Sequence, residues 1–265
     1  MSGKLAGRPA LVALLGGLVV ARLAWHPGRA ICGQMTVAGC RGVAVLVVAG
    51  LGLAAWMVRA TWLAITAARE VAGLPRRQPP DALVASVGRT GVDGVVCLAG
   101  LAAAAFCAGL LRPRVFVTGG MVASLADEEL DAVLVHEAEH ARRRDPLRRL
   151  AARAAADVLV WLPLVGWWTS RRLEDAELAA DRAAIDRVGR TPLARALRAT
   201  AVPARPGVGA RFDGAGPARV TQLLGDRPPP RRPPLAACLV SLVGLILAVS
   251  LAMCVGQSLA SAVLG

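Results

Sequence analysis

Residues 235–259 contain no charged side chain. As a helix, such a run reaches roughly 37 Å at 1.5 Å per residue, enough to cross a hydrocarbon core of about 30 Å. Only a helix satisfies its own backbone polar groups there. Two further apolar runs lie near the start, residues 9–25 interrupted by Arg22 and residues 43–68 interrupted by Arg59. They predict a transmembrane hairpin within residues 1–70. Lys4 and Arg8 ahead of the first run also suit a signal peptide, and the longer second run favours a retained span. Cys32 and Cys40 sit in the connection, where they pair if it faces an oxidising exterior and otherwise stay separate thiols. A hydrophobic content of 55% agrees with a mainly α-helical integral membrane protein of three spans.

The net charge of +13 comes almost wholly from arginine. Nucleic acid is one partner for such a charge, but the chain has no tyrosine and three phenylalanines with which to stack on bases. Its arginines flank the apolar runs instead, so direct nucleic-acid binding is not expected and the lipid bilayer is. Arg69, Arg76, Arg77 and Arg89 follow the second span and Arg231 and Arg232 precede the last, with no basic residue after it. The positive-inside rule then puts the intervening domain in the cytoplasm of a multi-pass cell-membrane protein and the C-terminus outside.

Between the spans, residues 71–91 read as a polar connector and residues 92–200 as a folded domain. Residues 92–111 are apolar enough for another span, but glycines punctuate them and Arg114-Val-Phe-Val-Thr118 follows as a β-like run, so buried strands are expected. An edge strand there would let a peptide add by β-pairing. Residues 154–168, with three tryptophans, read equally as an interfacial helix or as core. A helix is expected from about Arg172 to Val188. Residues 201–234, rich in Pro, Gly and Arg, read as a flexible linker. The fold class is thus spans plus an α+β domain with a small sheet.

That domain carries His136-Glu-Ala-Glu-His140. On a helix the two imidazoles fall on one face a turn apart, where both reach one Zn²⁺, with Glu137 beside it to deprotonate a bound water. Ser124 and Asp127 suit the helix start, and Arg142 to Arg144 with Pro146 suit its end. Two histidines need a third protein ligand. The later helix offers Glu174, Asp175, Glu177 and Asp181. Glu177 is preferred, because Asp181 lies a turn further on the same face, where it can accept a ligating histidine's other N–H. The expected chemistry is peptide hydrolysis. Zinc lowers the water's pKa towards ~7, and Glu137 takes the proton and passes it to the leaving amine. With no tyrosine, and the spare His26 in the hairpin, an arginine is the side chain left to stabilise the oxyanion, Arg182 being the candidate, with backbone N–H groups or zinc alone as the alternative.

The run from Ala105 to Val115, the segment LADEELDAVLVHEAEHARRRD, and Glu177-Leu-Ala-Ala-Asp181 together resemble the BlaR/MecR-type membrane metallopeptidases over roughly residues 92–197. The resemblance implies a cytoplasmic gluzincin-like zinc domain between spans. It also implies one Zn²⁺ on His136, His140 and Glu177, Glu137 as acid/base, Asp181 orienting a ligand, and strands rather than a span at 92–111. Its antibiotic-sensing members carry a penicillin-binding domain after the last span, and only a few residues follow Leu259 here. HtpX and the CAAX proteases also have Glu-x-x-x-Asp, but often with a small residue where this chain has Glu139. A membrane zinc endopeptidase cutting a cytoplasmic or membrane protein, a transcriptional repressor in a signalling pathway among the candidates, is the leading expectation. An HtpX-like quality-control protease and a non-proteolytic signalling scaffold are the alternatives.

Overall fold

The computed structural model describes residues 37–200, 216–226 and 230–264. The expected first span, Cys32 and the side chain of Cys40 lie outside them. In chain order the elements are α1 (Val37–Ala72), α2 (Asp81–Thr90), β1 (Val95–Leu98), β2 (Ala105–Ala108), β3 (Arg114–Thr118), α3 (Gly119–Ser124), α4 (Asp127–Arg142), α5 (Asp145–Val158), α6 (Pro163–Val188), α7 (Arg190–Thr200), α8 (Gly216–Leu224) and α9 (Leu235–Leu264). They divide into two compact units, one holding the chain up to Ala55 with that from Val240, the other running from Trp56 to Leu239.

In the first unit, large apolar side chains point outward, with Leu46 at 72% and Leu251 at 67% exposure. α1 and α9 are the two helices, among the described residues, long and apolar enough to cross a membrane. α1 has 36 residues, roughly 54 Å, well beyond a hydrocarbon core. Its excess length enters the second unit, where the Trp56 indole donates to the Ala151 carbonyl at 3.1 Å and Arg59 pairs with Asp157 at 2.7 Å.

The second unit is built round α4. Among the described residues the strands form one sheet in the order β1-β3-β2, with β1 parallel and β2 antiparallel to β3. The run expected as strands or span is therefore sheet. Val115 and Val117 of β3 pack with Met121, Leu130 and Leu134 against Leu83 of α2. On another side, Ala132 and Val135 of α4 pack with Ala184 of α6 and Leu193 of α7. Covered on several sides, the helix buries Leu130 to Glu137 without a break, the polar Asp131, His136 and Glu137 among them.

The structure shifts several expected boundaries. Ser124 ends α3, its hydroxyl donating to the Met121 carbonyl, while the Glu129 carboxylate accepts the Ala126 N–H at 3.1 Å at the start of α4. Pro146 opens α5 instead of ending α4. Arg144 turns the chain at φ 55°, and the proline falls in a first turn, where its missing N–H costs nothing. α6 begins at Pro163 for the same reason, not at Arg172. The connector 71–91 carries α2, whose Leu83, Ser86 and Thr90 are buried. The stretch read as a flexible linker carries α8, which packs on α6.

Leu134 is fully buried between sheet and helix. Leu134→Ala should lower stability by about 2–5 kcal/mol, the range for an aliphatic core truncation, seen as a lower melting temperature of the detergent-purified chain.

Candidate metal centre

The 3.6-residue period of α4 stacks His136 and His140 on one buried face, and α6 lies alongside. His136 Nε2 stands 3.2 Å from His140 Nε2, and Glu177 of α6 sets Oε2 3.5 Å from the first and Oε1 3.5 Å from the second. Donor atoms of the three residues lie within 4.8 Å of one another, close enough to hold one metal ion.

Each ring turns its second nitrogen to a carboxylate, His136 Nδ1 to Asp181 at 3.0 Å and His140 Nδ1 to Asp145 at 2.8 Å. A carboxylate only accepts, so His140 Nδ1 donates to Asp145, and a neutral ring that keeps its proton on Nδ1 offers its Nε2 lone pair to a cation at the shared centre. Burial pushes the His136 imidazole down, but Asp181, Glu177 and Glu137 outweigh it and bring its pKa up to about 9. Burial likewise opposes ionisation of Glu177, yet His136, His140 and Arg149 hold it far below the usual carboxylate range. Asp181, fully buried, is also lowered against burial, by His136 and Arg219. The cluster is therefore organised around positive charge at one point, which suits a metal cation.

Two arginines complete the frame. Arg149 of α5 donates to Glu177 at 2.5 Å, and Arg219 of α8 grips Asp181 with two bonds of 2.6 Å while standing 3.4 Å from Glu177. The cluster opens onto a cavity of about 220 Å³ lined by Glu137, Arg149, Phe106 and Cys107 of β2, and Glu70 at the far end of α1. Burial, then Glu137, pushes the Cys107 thiol up to about 12, so it stays neutral and is no thiolate ligand.

Of the acids on α6, Glu177 and Asp181 meet the histidines. Glu174 pairs with Arg171 at 3.0 Å and Asp175 with Arg171 at 3.2 Å. Arg182 does not reach the site; it is exposed, near Asp186 and Gln222, because one position past Asp181 on a helix faces elsewhere. Arg149 is the guanidinium on the cavity. Three residues of the centre escaped the sequence reading. Asp145 was passed over in a run taken as a helix end, although an acid beside Pro146 is a helix-start signal. Arg149 looked like one more basic residue among its neighbours. Arg219 lay in the supposed linker, where Gly216-Pro217 followed by spaced apolar residues marks a short helix.

The model of the BlaR1 peptidase M56 family matches residues 43–201, a span that includes α1 from Val43 and every residue of the cluster except Arg219. No curated protein is matched by the chain.

Asp145→Asn and Asp181→Asn should each weaken metal binding about 10–100-fold, as measured by chelator competition, because each ring then faces a neutral amide in place of the charged carboxylate that fixes its tautomer and raises its basicity. Arg219→Ala leaves the Asp181 carboxylate buried without its fork and should destabilise the protein by about 3–5 kcal/mol in thermal or denaturant melts.

Proposed function

The chain belongs to the BlaR1 peptidase M56 family, and on that premise we propose that it is a membrane-embedded zinc endopeptidase acting on a cytoplasmic or membrane protein. The observation that carries the proposal is the His136–His140–Glu177 cluster with Glu137 on its cavity. A tetrahedral ion about 2.0–2.1 Å from its ligands sets them about 3.3 Å apart. The 3.2 Å between the two Nε2 atoms supports zinc on that ground, and Glu177 offers a different carboxylate oxygen 3.5 Å from each.

When bound, zinc lowers the pKa of a coordinated water towards ~7 and polarises the scissile carbonyl. Glu137 takes the proton of the attacking water and returns it to the leaving amine. Arg149 is the group we assign to the oxyanion, in place of Arg182. β2 lies at one edge of the sheet and its residues line the cavity, so an extended substrate can add to that edge by backbone pairing. The arginines flanking α1 and α9 favour a cytoplasmic site and a C-terminus outside. The family suggests a role in signalling, and a transcriptional repressor is the substrate type we propose.

Zinc content and casein cleavage of the purified chain in detergent, beside Glu137→Gln, test the proposal. Zinc near one per chain is expected in both proteins, with cleavage reduced about 10²–10⁴-fold in the variant. Absence of zinc from both would overturn the reading.

A further inference from the structure

A second cavity, of about 320 Å³, lies between α5 and α6 and shares Asp145 and Arg149 with the metal cavity. Arg143, Arg148, Arg149 and Arg172 line it against two acids, of which Asp145 turns Oδ1 to Arg148 at 3.8 Å and to Arg143 Nε at 4.0 Å, both beyond hydrogen-bond reach. Asp145 accepts from His140 at 2.8 Å, and Asp175 pairs with Arg171 at 3.2 Å. The arginines are held more loosely. Arg143 also stands 3.9 Å from Glu139, again beyond that reach. The Nε–H groups of Arg143 and Arg149 are buried without an acceptor. Burying an unpaired donor is costly, and two in one wall point to an anion.

The surroundings indicate which anion. Arg59 pairs with Asp157, near the end of α5, at 2.7 Å, and its neighbours Met57, Val58 and Trp62 on α1 are exposed and apolar. The turn that follows α5 is thereby held close to the lipid-suited flank of α1, and it exposes Val160 at 77% and Trp161 at 42%. Trp168 comes about 8 Å along α6 from Pro163, roughly one headgroup layer. Arg172 places its guanidinium 4.9 Å from the centre of that indole. Tryptophan at the polar boundary beside clustered arginines is how proteins meet anionic lipid headgroups.

We propose that this cavity seats the phosphate of an anionic phospholipid headgroup on Arg143, Arg148 and Arg172. The inference rests on the chain being a membrane protein and does not depend on peptide cleavage. Arg149 lines both cavities and holds Glu177 at 2.5 Å, so the two cavities share one wall.

The full chain in nonionic detergent is melted with short-chain phosphatidylglycerol, with phosphatidylcholine of the same chain length, and with inorganic phosphate. Phosphatidylglycerol alone should raise the melting temperature, by about 5 °C near saturation. Arg148→Gln with Arg172→Gln should lose most of that rise. Arg195→Gln with Arg198→Gln, which removes equal charge from exposed positions on α7, should keep it. The same lipid-specific rise in Glu137→Gln, with no cleavage, supports the site independently of catalysis. An equal rise with phosphatidylcholine, a full rise with inorganic phosphate alone, or an undiminished rise in the Arg148 and Arg172 variant overturns the proposal. So does a variant that changes only the cleavage of acidic peptides.

Discussion

An aspartate with no exposed surface must find its counter-charge inside the protein, and at Asp181 that requirement organises the centre. Its carboxylate takes the Arg219 fork on one side and meets His136 Nδ1 on the other. Holding the ring fixes where Nε2 points, and holding Arg219 fixes α8 against α6. Asp145 does the same for His140 from the first turn of α5. The ligand atoms are thus aimed by a surrounding layer that α5, α6 and α8 supply, while α4 contributes the rings. A burial cost at one residue becomes precision at its neighbours.

What was legible in the sequence was what a short period or a strong composition encodes. The four-residue spacing of His136 and His140 needs only a helix to become a shared face. The Arg114–Thr118 run, β-branched, preceded by Pro113 and closed by Gly119-Gly120, was legible as a strand for equally local reasons. Glu177 stood out among four acids through its spacing to Asp181. Contacts made at a distance in the chain were hidden. Nothing local says that Arg59, an interruption in one apolar run, meets Asp157, an interruption in another. Arg149 and Arg219 could not be told from the many arginines around them, because a buried partner is a property of the fold. Helix boundaries went astray at Pro146 and Pro163, where proline starts a helix as readily as it ends one.

α1 ties two environments together. Its outward apolar side chains suit lipid, while its last turns carry Glu70 and Val71 into the wall of the metal cavity.

The place of Arg219 has a consequence for where the working domain ends. α8 has nine residues, too few to be a stable helix by itself, so its order depends on the contacts it makes with α6. The residues matched by the family stop at position 201, before α8 begins. A fragment cut at that boundary would keep both histidines, Glu137, Glu177 and Asp181. It would also leave a buried carboxylate without its guanidinium, so the inventory of the motif would be complete while its alignment was not. The smallest autonomous version of this centre therefore extends past α8, and the stretch that looks most dispensable by composition sets the limit.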